Sequence, residues 1–290
     1  MQLISVGEVL DKSWHYYRKH FSELMNISGW LLLSAALSVI GFALLPSASA
    51  LFSGRDFTAV EQTGRVILAL NTFILTPALS IWVINTLIKL FQAQFHNQTV
   101  TLKQVAIAGR KLFWPAVWVT ILFALVMLAS LLFLVPGFVF IALGSTISSG
   151  TALPVLGSLL LVAGVVVATI AVVAWFVQFF FAGYTLIVDG HHGRSALKES
   201  IRLVKGRYWA VFVRLLLPKV LYFVLFAVGL WLLTAVADVI VSGAAGLNID
   251  LRLRLMSIVF VVLTTIQAIL INPLITITDY LIYDSLKQNR

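Results

Sequence analysis

A chain of 290 residues that is 61% hydrophobic and only 11% charged cannot cover a water-exposed surface, for which about a quarter of residues are usually charged. Its long unbroken apolar runs point to an all-α polytopic bundle in lipid, with no room for a separate soluble catalytic domain. The absence of Cys excludes disulfides, thiolate metal sites and cysteine nucleophiles, and the net charge of +9 reads as membrane topology and headgroup contact, not as a nucleic-acid surface.

In chain order, Met1 to Phe21 carries acids and aromatics and lacks a small-residue cleavage pattern, so it is not expected to be a cleaved leader. Charge-free windows then recur along the chain. The longest has no Asp, Glu, Lys or Arg from Leu112 to Val188 and must be divided in two, because a helix of that length would cross the membrane several times. Pro136-Gly137, the polar run Ser145 to Thr151 and Pro154 offer places to turn. Six spans are expected: Ile27–Leu45, Val66–Ile88, Pro115–Ile141, Leu156–Val188, Val220–Ser242 and Leu255–Tyr280. The fourth is too long for a simple perpendicular span. Either its end, Phe179 through Tyr184, projects past the acyl region, or the piece after Pro136, within 138–158, is an interfacial or re-entrant element.

Of the 20 Lys and Arg residues, all but Arg55, Arg65, Arg252 and Arg254 fall on one side of this arrangement. Basic residues resist translocation. The bias predicts a cell (inner) membrane protein with both termini cytoplasmic.

Each odd-numbered span is preceded by a basic, aromatic-rich amphipathic stretch: Val9 to Phe21, Thr101 to Trp114 and Ala196 to Tyr208. The unit of one such stretch plus two spans suggests a single membrane domain, 1–290, built of three repeats at 5–90, 100–188 and 194–287. Thr76-Pro77 in the second span is echoed by Asn272-Pro273 in the sixth. The stretches are expected to lie in the inner interface, with Trp14, Tyr16, Tyr17, Phe21, Trp114, Tyr208 and Trp209 at headgroup depth. Their Lys and Arg residues either only orient the hairpins or bind anionic headgroups or an acidic membrane partner. Arg18, Lys19, Arg110, Lys111, Arg202, Lys205 and Arg207 are the candidates.

Charged groups inside a span are costly, so Asp238 and Asp279 are candidate intramembrane polar sites, Asp238 facing either a wet cavity or the outer interface. Lys219 and Arg214 are expected at an interface. Asn71, Asn85, Gln178, Gln267 and Asn272 are expected to hydrogen-bond between helices. His191-His192 beside Asp189 reads as a solvated turn, and neither a metal nor any other cofactor is expected. Pro136 and Gly137 are expected to break the third helix. Asn26-Ile27-Ser28 and Asn97-Gln98-Thr99 match a glycosylation pattern but fall on the wrong side of the membrane.

Phe133-Leu134-Val135-Pro136-Gly137-Phe138, Tyr184 through Gly190, Ala196-Leu197-Lys198-Glu199-Ser200, Leu203 through Trp209 and Leu281 through Lys287 resemble the pattern of the YciC-like inner-membrane proteins. The same pattern occurs in the membrane domain fused to some glycerophosphodiester phosphodiesterases. That resemblance implies about six spans with cytoplasmic ends and leaves the biochemical role open. The chain departs from it by an insertion after Pro136-Gly137 and by the lack of a fused phosphodiesterase. The expected role is non-enzymatic, engagement of anionic lipid or a membrane partner in envelope maintenance. The alternative is a permease or exporter of a lipid-like substrate.

Overall fold

The computed structural model describes residues 3–47, 50, 54–96, 98, 100–147 and 151–289. Among them no strand occurs, and six helical stretches are long and apolar enough to cross a membrane: Phe21–Leu44, Ala59–Phe95, Phe113–Thr146, Ala152–Asp189, Tyr208–Ala245 and Ile249–Gln288. The chain is a multi-pass, all-α membrane protein. Every expected span is present, and each helix except Phe113–Thr146 runs beyond the charge-free window that announced it, because ionisable side chains are tolerated once a helix passes into the headgroups.

Thirteen helices carry the labels used below. They are α1 (Val6–Lys19), α2 (Phe21–Ser28), α3 (Leu32–Leu44), α4 (Ala59–Leu70), α5 (Thr76–Phe95), α6 (Leu102–Lys111) and α7 (Phe113–Ala129). After these come α8 (Val135–Ile147), α9 (Ala152–Phe179), α10 (Ala182–Asp189), α11 (Arg194–Val204), α12 (Tyr208–Ala245) and α13 (Ile249–Gln288). The three amphipathic stretches form α1, α6 and α11, separate short helices each preceding a span. Side chains start two of them: Ser5 accepts from the Glu8 amide, and Thr101 and Gln104 close a reciprocal capping box.

Two compact units exist, Met1–Phe113 with Arg214–Ser285, and Trp114–Val213 with Leu286–Arg290. In the first, spans one and two pack where small residues let them approach. A Cβ on Gly41 would fall 2.6 Å from Leu68, and one on Gly64 would fall 2.8 Å from Leu44. The Asn71 amide crosses this contact, donating to the Ser34 carbonyl (3.0 Å) and to Ser38 Oγ (2.7 Å). A π-helical turn, Asn71–Leu75, leads into Pro77, whose ring lacks the amide needed to continue the regular ladder. The α6 helix lies against α5, with Gly109 beside Thr86 and the Trp82 indole donating to the Ala106 carbonyl at 3.3 Å.

In the second unit, span three is one helical stretch that narrows to a 3-10 turn at Ser130–Leu134 and resumes as α8 one residue before Pro136. The irregularity expected at Pro136-Gly137 therefore falls in the turn preceding it, where the carbonyls that proline cannot serve are found. The piece after Pro136 does not turn back on itself as a re-entrant segment. It continues span three, and span four begins at Ala152; the intervening residues 148–150 of the expected polar turn lie outside the described residues.

Gly137 has a different role from the one expected. It is not among the left-handed glycines, and a Cβ there would come within 2.6 Å of the Leu161 backbone. Gly157 similarly meets the Ile141 amide at 2.6 Å, and Gly164 meets the Phe133 carbonyl. This stripe of absent side chains brings α8 and the turn before it directly against α9.

Candidate functional site

Two ionisable residues, Asp279 expected within a span and Lys219 expected at an interface, are brought together in the first unit. Lys219 Nζ on α12 lies 2.8 Å from Asp279 Oδ1 on α13, with the Asp279 side chain 5% exposed and that of Lys219 23%. Each had a separate reading in the sequence, and nothing local announced the pair. Both sit toward the same ends of antiparallel neighbouring helices, which is the signal that could have joined them. In low dielectric a carboxylate stays charged only with a close cation, and the pair links spans five and six. Pro218 precedes the lysine and Pro273 lies within α13, so both helices carry a proline near this contact.

One turn beyond Lys219, the Tyr222 hydroxyl lies 2.7 Å from Ser13 Oγ of α1, and the Ser13 hydroxyl donates to the Leu10 carbonyl at 3.0 Å. Ser13 is fully buried. The backbone of Ile4 is held from both sides: Arg214 Nε donates to its carbonyl (2.6 Å), and its amide donates to Ser285 Oγ (3.0 Å). The first amphipathic helix and the residues just before it are thus bound to spans five and six by polar contacts between residues 209 to 281 apart in sequence.

That docking corrects the aromatic assignment. Tyr17 is buried, and Tyr16 stacks on Phe95 and His20 and meets Phe91 edge-on, with Phe95 stacked in turn on Tyr280. These two phenols pack into protein, not headgroups. Burial pushes Tyr17 up to about 12 and Tyr16 upward as well, so both remain neutral hydroxyls. Trp14, Phe21, Trp114 and Trp209 are the exposed rings, placed as amphipathic anchors should be.

The arginines at the turns between spans one and two and between spans five and six all have partners in the chain. Arg55 forks onto Glu61, Arg65 lies over the Phe57 ring at 4.6 Å, and Arg254 caps the end of α3 through the Ala43 and Leu45 carbonyls. Arg252 pairs with Asp238 at 2.9 Å, both about half exposed, so Asp238 does not lie in a buried cavity.

At the opposite ends many cations are left over. Arg18 and Lys19 close α1, and Arg110 and Lys111 close α6; all four are exposed and make no hydrogen bond or ion pair among the described residues. Basic groups at helix C-termini also complement the helix dipole. The third cluster is divided: Arg202 pairs with Glu199 at 3.3 Å, Arg207 donates to the Asn289 carbonyl at 2.6 Å, and Lys205 is exposed without a partner among the described residues. Asp189, beside His191-His192, pairs with Lys287. Among the described residues, no three of His, Asp or Glu are grouped to hold a metal.

The Ala196–Ser200 motif has a structural task. Span four breaks between α9 and α10 at Phe180-Phe181, and the Ser200 hydroxyl bridges the break, accepting from the Phe181 amide (3.1 Å) and donating to the Gln178 carbonyl (2.7 Å). Thr185 donates to the Ala196 carbonyl at 3.1 Å, completing the clasp of α11 on α10. Backbone groups freed in a span need such partners.

Of the neutral polar residues expected to bond between helices, Asn71 does so, as described above. Gln267 makes no hydrogen bond among the described residues. Of the glycosylation-like sites, Asn97 and Thr99 lie outside the described residues. No protein-family model, curated protein or solved structure matches the chain.

Proposed function

We propose that the chain is a non-enzymatic inner-membrane protein whose amphipathic helices hold anionic lipid headgroups in the cytoplasmic leaflet, in support of envelope maintenance. The supporting observation is the contrast in charge pairing. Arg55, Arg65, Arg252 and Arg254 are satisfied within the chain, whereas Arg18, Lys19, Arg110 and Lys111 end two amphipathic helices that both lie against span two and leave their charges outward. Basic groups that find no partner in the protein are available to the phosphates of the nearer leaflet, each contributing on the order of 1 kcal/mol. The clustering of basic residues at those ends supports the reading that both termini are cytoplasmic. The resemblance of its short motifs to the YciC-like group supports this reading, and we propose that the chain is a member of that group on those motifs.

Retention of lipid tests the reading. Protein purified from nanodiscs containing phosphatidylglycerol and phosphatidylethanolamine should keep phosphatidylglycerol preferentially, and the Arg18→Gln/Lys19→Gln/Arg110→Gln/Lys111→Gln variant should lose that preference at low salt. Equal retention by both proteins would reduce these residues to topology signals.

A further inference from the structure

Within the first unit, α12 and α13 leave a groove of about 290 Å³ that is apolar apart from one side chain, Gln267. Its rim is formed by Leu225, Leu233 and Ile266, all exposed, and Gly229 leaves open space midway between the two leucines. The spacing of Leu225, Gly229 and Leu233 is four residues, so they form one ridge of α12 with a gap at its centre.

Gln267 is the anomaly. Its amide carries two donors and one acceptor oxygen, and none is used among the described residues. Along α13 it stands about 22 Å from Arg252 and about 18 Å from Asp279, at 1.5 Å per residue. A hydrocarbon core is about 30 Å thick, so the phosphates and ester oxygens of a lipid are stationed near the helix ends, away from Gln267. The missing partner must therefore come from protein at the same depth and must offer donor and acceptor together. An amide is the electrostatic complement of an amide, and Gln267 of a second copy meets that requirement at the required height, since a two-fold axis normal to the membrane brings identical depths together.

We propose that this groove is a homodimer interface in which two copies of the chain dock through α12 and α13, the Gln267 amides pairing with each other across the axis and a side chain of each copy entering the gap at Gly229 of the other. Lipid cannot drive apolar faces together as water does, so interhelical hydrogen bonds and close packing supply the specificity.

Because the chain has no cysteine, any introduced thiol is unique. Ile266→Cys, on the rim of the groove with Gln267 left in place, should give a crosslinked dimer in membranes treated with a short bis-maleimide, while Trp231→Cys, exposed on the other face of α12, should not. In an independent measurement by single-molecule photobleaching in liposomes, Gln267→Leu should raise the dimer dissociation constant about three- to twentyfold, and Gln267→Asn should recover part of the loss. Leucine suits an apolar span, so insertion is retained and helicity serves as the control. A monomeric wild-type protein, equal crosslinking at Trp231→Cys, or an unchanged dissociation constant in Gln267→Leu would each overturn the proposal. So would a monomer retaining a lipid in the groove.

Discussion

Lys219 and Asp279 show how two residues with unremarkable separate readings become one feature when their helices meet. Removing only the lysine strands a carboxylate that is almost wholly enclosed, and breaking a buried pair from one side costs about 3–5 kcal/mol, whereas replacing both members by apolar groups of similar size is often neutral. Lys219→Met should therefore lower the thermal midpoint of the purified protein strongly, and Lys219→Met/Asp279→Leu should recover most of the loss. If the double variant were as unstable as the single one, the pair would have a task other than mutual neutralisation. Ser200 makes the same point without charge, since one hydroxyl serves both a donor and an acceptor freed at the break in span four.

Among the elements, the pairing of α8 with α9 rests on absent side chains. At Pro136-Gly137 the two residues act separately: proline accounts for the 3-10 turn before it, and glycine admits the Leu161 backbone. A methyl group at Gly137 has to displace backbone, whereas losing the proline ring restores an amide to the helix. Gly137→Ala should accordingly reduce thermal stability by about 1–3 kcal/mol, in the range of overpacked cores, and Pro136→Ala should be neutral or slightly stabilising. Differential scanning fluorimetry in one detergent separates the two. Gly183→Ala, where a Cβ meets nothing within 4 Å, is the control. A tolerated Gly137→Ala would mean that the helices can part without cost.

For the whole molecule, the distribution of basic residues predicts orientation, and the structure shows which positions can report it. Ser13, on the first amphipathic helix, is fully buried and would be silent to any thiol reagent. Gln98 and His192 are exposed at the ends expected in the cytoplasm, and Asp56 and Leu247 at the opposite ends. Single cysteines at Asp56 and Leu247 should react with an impermeant maleimide from outside intact cells, and those at Gln98 and His192 only after lysis. Labelling of the second pair in intact cells would invert the orientation and place the unpaired cations of α1 and α6 against the other leaflet.

The sequence by itself determined the solvent, the number of spans and the three amphipathic helices. Each follows from local quantities: apolar runs long enough for the hydrocarbon core, charges that mark where a helix leaves it, and a basic, aromatic pattern of helical period. It also located the irregularity near Pro136, because a missing amide is a property of one residue. Tertiary structure decided which polar groups meet. The Lys219–Asp279 pair, the Tyr222–Ser13 contact across 209 residues, the clasp by Ser200 and the close approach at Gly137 all depend on which helix lies beside which. So does the inward turn of Tyr16 and Tyr17, which have the amphipathic character of headgroup anchors and became core when α1 docked against spans two, five and six. In a bilayer an apolar surface is equally content against lipid or protein, so hydrophobicity cannot choose a helix's neighbours. Steric gaps and a few hydrogen bonds make that choice, and these are visible only once the helices stand side by side.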